Sequence, residues 1–335
     1  MYKIAIIGAT GNVGTEILEI LSERQFPASE VIAFASEKNK NKEISYGNRI
    51  IKTIELDGYD FTNTDIVFVA ADSEISRKHC KKITESGSIM IDNSSAFRMD
   101  PDVPLIIPEV NPDEIVNYSK KNIIANPNCS TIQMLVPLKP LHDAFIIKRI
   151  VVSTYQAVSG RGKEAMDELY SQTKKMFEGE INPKSSQFTK RIAFNCIPHI
   201  DSFMDSGETK EEWKINVETK KILDPNIEVT ATCVRVPVFN CHAESVNIQF
   251  TKPFQIGEIF DILNESPGVL VLDRREDGGY MTQVEATKDD NIFISRMRID
   301  ETIENGLNMW IVTDCLRKGA ALNAVQIAEL LIHKI

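Results

Sequence analysis

The hexapeptide Asn126-Pro127-Asn128-Cys129-Ser130-Thr131 places a thiol between two apolar runs, residues 123–125 and 132–136. The pattern reads as a buried strand, a tight turn and a helix opening at Ser130 or Thr131. A thiol at such a helix start faces unpaired backbone N–H groups and the positive end of the helix dipole, and both favour thiolate over thiol. Cys129 is therefore the candidate nucleophile. The competing reading is a buried cysteine serving as a small apolar side chain; the turn chemistry around it favours the nucleophile.

A second segment with chemical meaning is Gly8-Ala9-Thr10-Gly11-Asn12-Val13-Gly14, between the apolar residues 3–7 and a helical run at 15–21. Glycines at 8, 11 and 14 permit a tight turn, close approach of a pyrophosphate and close helix packing, with the phosphates on the helix N-terminus. A purely structural turn is the alternative. The next strand, 31–35, ends at Ser36, where an NAD-specific site carries an Asp or Glu for the ribose 2′-hydroxyl. Glu37, Lys38, Asn39 and Lys40 follow. A hydroxyl with lysines nearby suits a 2′-phosphate better than a bare ribose, which favours NADP, although Lys38, Lys40 and Lys42 also fit an ordinary solvated loop.

Five more titratable groups could hold ions or move protons. Arg98 closes the polar loop Asn93-Ser94-Ser95-Ala96-Phe97-Arg98 at the carboxyl end of a strand, where ligands of parallel sheets bind; a surface arginine is the alternative. Glu211 and Lys214 are spaced to share one helix face, for which a surface salt bridge is the plainer reading. Arg235 and His242 stand in one run, and fit equally a polar-face residue and a hydrogen-bonded structural histidine.

These groups need a framework to position them. Strands at 65–71 and 88–92 flank a helix-like segment at 75–85, and such alternation indicates a parallel sheet covered on both faces. Beyond Cys129 the pattern predicts a helix interrupted by Pro137 and Pro140, then a strand over 147–155 that delivers Gln156. Ser159-Gly160-Arg161-Gly162 turns the chain into a helix over 163–177, and residues 179–210 read as irregular. Runs 227–238 and 245–250 alternate with period two, as an antiparallel half-buried pair. Strands at 292–297 and 307–312 and a helix over 316–332 complete the chain.

With 335 residues, the chain can form two domains. A net charge of −10 and a pI near 5.2 argue against nucleic acid or an anionic membrane as partner. Six cysteines without a CxxC pair point to a reducing cytoplasm, and no metal is expected. No apolar run approaches the ~18 residues of a membrane helix, and the first residues run straight into the glycine turn, so they read as structure rather than a signal peptide.

Together with Gln156 ahead of Ser159-Gly160, Glu211-Glu212-Trp213-Lys214, Arg235 to His242, and Lys318-Gly319-Ala320-Ala321, these segments resemble aspartate-semialdehyde dehydrogenase of the bacterial type over nearly the whole chain. The resemblance implies NADPH-dependent reductive dephosphorylation of L-aspartyl 4-phosphate to L-aspartate 4-semialdehyde, with release of phosphate, in lysine (diaminopimelate), methionine, threonine and isoleucine synthesis. It implies that the Cys129 thiolate forms a thioester and that His242 is the acid and base, a role suited to an unperturbed imidazole pKa. By the same resemblance Gln156 orients the substrate or His242, Arg235 takes the substrate carboxylate, Arg98 and Lys214 hold phosphate, Glu211 meets the amino group, and Asn128 joins the substrate contacts. Cofactor contacts carried over are Gly8, Thr10, Gly11, Asn12, Val13, Ser36, Lys38, Asn39, Ser159, Gly160 and Cys315.

The chain departs from the family's usual pattern at Lys38-Asn39 in place of Arg-Ser, at Cys241 and Ala243 in place of Gly and Ser, and at Cys315 in place of an amide. A lysine cannot make a planar bidentate pair, so a weaker 2′-phosphate contact is expected. The expected architecture is α/β: a Rossmann-type doubly wound domain over 1–128, completed by a terminal helix at 314–335, and a mixed α+β catalytic and dimerisation domain over 129–313. A homodimer or homotetramer is implied. N-acetylglutamyl phosphate reductase is the enzyme alternative, although its cysteine motif differs and its acetylated substrate needs no amine contact at Glu211. A non-catalytic NADP-binding sensor is the other, and it would not need Cys129, Gln156, Arg235 and His242 together.

Overall fold

Apolar runs without alternation need cover on both faces, and the first sheet has it. In the computed structural model, which describes residues 1–334, the strands of this part are β1 (Tyr2–Ile7), β2 (Ala28–Ala35), β3 (Glu43–Tyr46), β4 (Arg49–Lys52), β5 (Ile54–Glu55), β6 (Ile66–Val69), β7 (Ile89–Asp92) and β8 (Ile123–Ala125). Six of them form a sheet in the order β5-β2-β1-β6-β7-β8, every pairing parallel, while β3 and β4 pair as a separate hairpin that the sequence did not announce. The order reverses between β1 and β6, the switch point at which doubly wound sheets bind ligands.

Helix α1 (Asn12–Glu23) and α2 (Ser73–Glu85) connect these strands. The Asp72 carboxylate caps α2 by accepting from the Glu74 and Ile75 N–H groups at 3.0 Å each. Two compact units make up the chain: Met1–Asn128 with the C-terminal stretch from Ala320, and Cys129–Gly319. In the first unit Ile17 and Leu21 of α1 share a core with Val325, Ala328 and Leu331 of the C-terminal helix, and Arg24 makes a two-pronged pair with Glu329 at 2.7 Å.

The second unit contains α3 (Cys129–Phe145), β9 (Ile147–Gln156), α4 (Lys163–Phe177), α5 (Lys210–Ile222), β10 (Glu228–Arg235), β11 (His242–Phe250), α6 (Ile256–Glu265), β12 (Val269–Val271), β13 (Ile292–Asp300) and β14 (Gly306–Thr313). Its sheet is mixed, in the order β10-β9-β11-β14-β13-β12. Thr209 and Glu212 start α5 with a reciprocal capping box.

Three expectations are corrected. Helix α3 runs unbroken through Pro137 and Pro140. Each proline removes one N–H from the ladder, but Ile132, Leu135, Val136, Leu138 and Leu141 are all buried, and α3 packs on β9, β11, β14, α5 and α6. Secondly, β10 and β11 do not pair with each other: β9 lies between them, parallel to β10 and antiparallel to β11. A long crossover containing α4 and α5 returns the chain to β10 in the direction of β9, and the short link 236–241 then carries it past the end of β9. Thirdly, the terminal helix α7 (Leu322–Lys334) starts later than 316, because Arg317–Ala321 forms a wider π-helical turn. That turn carries Gly319, where a β-carbon would crowd the Cys129 Cβ at 3.1 Å.

Candidate active site

In the first unit, β1 ends at Gly8, whose φ of +83° suits only glycine and where a β-carbon would collide with the Ala70 carbonyl. A β-carbon at Gly14 would collide with the Gly8 backbone, so the turn and the helix close on each other only without side chains. Beside this turn is a cleft of about 410 Å³, lined among others by Gly8, Thr10, Gly11, Ser36 and Glu37. No side chain caps α1 at Gly11, and Asn12 and Val13 are its first residues. A helix start of this kind, without a side-chain cap, fits the pyrophosphate of a dinucleotide.

The lysines beyond Ser36 are unequal. Lys40 is paired with Glu55 at 2.7 Å. Lys38 and Asn39 sit in a single helical turn (Glu37–Asn39) and, unlike Ser36, do not line the cleft. Arg98 is buried: Nε donates to the Asn126 carbonyl and Nη2 to that of Asn93, both at 2.9 Å. Asn323 Nδ2 donates to Asn126 Oδ1 at 2.7 Å. Arg98 therefore braces the turn preceding Cys129, and Asn128 is buried within that turn.

In the second unit, strand register builds a row of chemistry. Arg235, Gln156, His242 and Thr313 stand abreast on β10, β9, β11 and β14, and neighbours in register share one sheet face. Helix α3, opening at the half-buried Cys129, covers that face. Gln133 Nε2 donates to the His242 and Ile311 carbonyls at 3.2 and 3.0 Å. Gln156 Nε2 donates to Ser130 Oγ at 2.9 Å and to Glu211 Oε1 at 3.2 Å, tying β9 to the starts of α3 and α5. Lys214 bridges Glu211 at 3.2 Å and Asp201 at 2.7 Å. Arg235 Nη1 donates to the Ala157 carbonyl at 2.6 Å, and Arg235 lines a cavity of about 290 Å³ with Arg161, Phe188, His199 and Asp201.

His242 is wholly buried, and burial first, then the Arg235 charge, push its pKa down to about 3. The expectation of an ordinary imidazole pKa is therefore corrected. Its Nδ1 accepts the Ala157 N–H at 3.0 Å, so the neutral ring carries its proton on Nε2. That Nε2 has no partner among the described residues, and a β-carbon at Gly160 would come within 3.2 Å of it.

Ser159 donates to Asn240 Oδ1 at 3.0 Å and lies 3.2 Å from the Cys315 thiol, so these two cofactor candidates are neighbours. Burial raises the pKa of Cys315 and of Cys233, and pushes Cys241 up to about 12, which disfavours their thiolates. Three site residues escaped the sequence reading: Asp201, Asn240 and Gly319. Asp201 sits in an irregular segment with no pattern to mark it, whereas Asn240 and Gly319 stood in matched motifs, and only their closeness to Ser159 and to Cys129 was hidden. Among the described residues no group of three or more His, Cys, Asp or Glu could hold a metal ion, and no helix is long and apolar enough to cross a membrane.

A family model for the semialdehyde dehydrogenase NAD binding domain matches residues 3–118, and one for the semialdehyde dehydrogenase dimerisation domain matches 138–318. Aspartate-semialdehyde dehydrogenase of Aquifex aeolicus is 48% identical over 99% of this chain and 98% of its own length. The chain belongs to the aspartate-semialdehyde dehydrogenase family. A crystal structure of aspartate semialdehyde dehydrogenase II from Vibrio cholerae, complexed with ASA, superposes with a TM-score of 0.97 at 45% identity, covering 99% of this chain and 98% of that one. The α/β fold with a parallel and a mixed sheet is that of this family.

Proposed function

We propose that this chain catalyses the NADPH-dependent reductive dephosphorylation of L-aspartyl 4-phosphate to L-aspartate 4-semialdehyde through a Cys129 thioester. The observation that carries the reading is the row Arg235, Gln156 and His242 facing the helix that opens at Cys129. The thiolate, favoured by the helix N-terminus, attacks the acyl phosphate; the acyl–oxygen bond breaks and phosphate leaves. A bound nicotinamide nucleotide would supply the hydride for reduction of the thioester. Cys129 is then expelled as thiolate when the thiohemiacetal collapses to the aldehyde.

His242 presents an Nε2–H to the reacting carbonyl oxygen, where a fixed donor in a dry site stabilises developing negative charge. Arg235, with donors beyond the one held by Ala157, takes the substrate α-carboxylate. Glu211 meets the amino group, and Lys214, Arg98 and Asn128 contact the phosphate group; in the free protein Glu211 and Asp201 keep Lys214 in place. Gly8, Thr10, Gly11, Asn12 and Val13 hold the pyrophosphate part of NADP, Ser36, Lys38 and Asn39 the 2′-phosphate, and Ser159, Gly160 and Cys315 the nicotinamide end. Exposed Phe177 and Phe194, packed edge to face at 6.1 Å in the unit matching the dimerisation domain, support a homodimer.

The test runs in reverse. L-aspartate 4-semialdehyde and NADP should yield NADPH only with phosphate present, and Cys129→Ala should abolish it, because no other group can carry the acyl chain. Equal rates without phosphate, or preference for N-acetylglutamate semialdehyde, would overturn the reading.

A further inference from the structure

The chain from 178 to 209 links α4 to α5 outside helix and strand, so its backbone N–H groups need partners from elsewhere. Two side chains of α4 supply several of them. Glu168 and Gln172 are buried and stand one turn apart on the same face of the helix. Glu168 Oε2 accepts the Ser186 N–H at 2.8 Å, the Ser186 hydroxyl at 2.6 Å and the Gln187 N–H at 2.6 Å. Gln172 Oε1 accepts the Ile192 and Ala193 N–H groups at 3.0 and 3.1 Å, and its Nε2 donates to the Lys184 carbonyl at 3.2 Å. Nε2 also donates to Glu168 Oε1 at 3.0 Å, which joins the two clasps.

What the clasps hold is a wall. Gln187, Phe188 and Thr189 follow the first clasp, precede the second, and line the 290 Å³ cavity that contains Arg235. The Arg161 guanidinium lies over the Phe188 ring, 6.0 Å from its centre. Farther along, Ile197 exchanges backbone hydrogen bonds with Arg235 at 2.9 and 2.8 Å, so the same segment also steadies the strand end that bears the guanidinium. We propose that Glu168 and Gln172 are positioning residues for substrate binding: they fix residues 184–193 as a wall of the Arg235 cavity, and so set the affinity for the substrate without touching the reacting atoms. This rests on the function proposed above, in which Arg235 takes the substrate carboxylate.

Glu168→Gln separates the clasp from packing, because it keeps the shape of the side chain. If its amide oxygen faces Ser186 and Gln187, its NH2 group meets that of Gln172, which cannot turn without releasing Ile192 and Ala193. In the phosphate-dependent oxidation of L-aspartate 4-semialdehyde by the full chain, KM for the semialdehyde should rise about 5- to 30-fold. The kcat should stay within about 3-fold and KM for NADP should not change, the pattern of lost binding rather than lost chemistry. Combining Glu168→Gln with Gln172→Glu restores a donor facing an acceptor, and should bring KM at least about 2-fold below that of the single variant. Ser186→Ala removes one of the three bonds to Oε2 and should raise KM about 2- to 3-fold, which keeps the test open should the α4 variants fail to fold. Parental KM in both Glu168→Gln and Ser186→Ala, losses spread evenly over kcat and both KM values, or an exchanged pair no better than Glu168→Gln would overturn the proposal. Parent protein inactive with semialdehyde, NADP and phosphate would instead count against the proposed function, so the two failures are separable.

Discussion

The turn from β1 into α1 and the row across β10, β9 and β11 both hold groups ready for a ligand, by opposite means. The first is made of backbone: two glycines without side chains and a helix start with no side-chain cap at Gly11, all within residues 8–14. The second is made of side chains from residues 156, 235 and 242, joined by strand register and each held by another group: Gln156 by Ser130, Arg235 by the Ala157 carbonyl, and His242 by the Ala157 N–H. Single side-chain changes should therefore be severe in the row and mild around the cleft.

His242 gives the largest expected effect. As a fixed donor, its replacement in His242→Leu should lower kcat by about 10²- to 10³-fold. With its pKa pushed down to about 3, the parent enzyme should show no histidine inflection near pH 6.5 in kcat/KM. An inflection there that vanishes in His242→Asn would mean that the imidazole titrates during turnover as an acid and base, and the row would not be preset as a neutral donor. The same depression affects stability. The folded state favours neutral His242, so its contribution is complete above about pH 6.5 and falls as pH drops from there toward 3, where the unfolded chain takes up the proton first. The thermal midpoint of His242→Leu should depend less on pH across that window.

That difference also explains what the sequence disclosed. The parallel sheet, the glycine turn and the Cys129 helix start were legible because strand runs, turn glycines and helix openings are local patterns. The row was not, because it depends on which strands lie side by side. Period-two alternation in 227–238 and 245–250 marks two strands but not the insertion of β9 between them, and so hides that Arg235, Gln156 and His242 stand abreast. Only the resemblance to a family grouped these residues. The imidazole pKa was equally out of reach, since burial is a property of the packed chain. Pro137 and Pro140 misled for the same reason: their local cost is real, and tertiary packing of α3 outweighs it.

Around the cleft the expected effect is smaller. On the proposed function backbone groups carry the pyrophosphate there; Lys40 is engaged by Glu55, and Lys38 stands outside the lining. Lys38→Ala should raise KM for NADPH by about 3- to 20-fold, as for one partly exposed charged hydrogen bond, and leave that for NADH unchanged. A loss beyond about 100-fold would show that a side chain, and not the backbone, dominates this site, and the contrast with the row would fail.

The smallest effect lies where the two modes of construction meet. Cys241, immediately before His242, is not glycine yet has φ of +67°, in the left-handed region. A β-carbon there costs roughly 1 to 2 kcal/mol. Its side chain is buried with Ala243, Phe293 and Val312, and its thiol lies 3.5 Å from Thr287 Oγ1, contacts that offset part of that strain. Cys241→Ala keeps the β-carbon and its strain but loses the sulfur contacts. Cys241→Gly loses the contacts as well, and gains an unfolded-state entropy penalty of about 0.5 to 1 kcal/mol, but sheds the strain. At an ordinary extended position glycine would be the less stable of the two. Here Cys241→Gly should match or exceed Cys241→Ala, by up to about 1 kcal/mol in denaturant unfolding, with kcat of both close to the parent because His242 is held by Ala157 rather than by the thiol. An alanine variant clearly more stable than the glycine variant would show that the left-handed backbone is not strained, and that packing of the Cys241 side chain alone sets the stability of this junction.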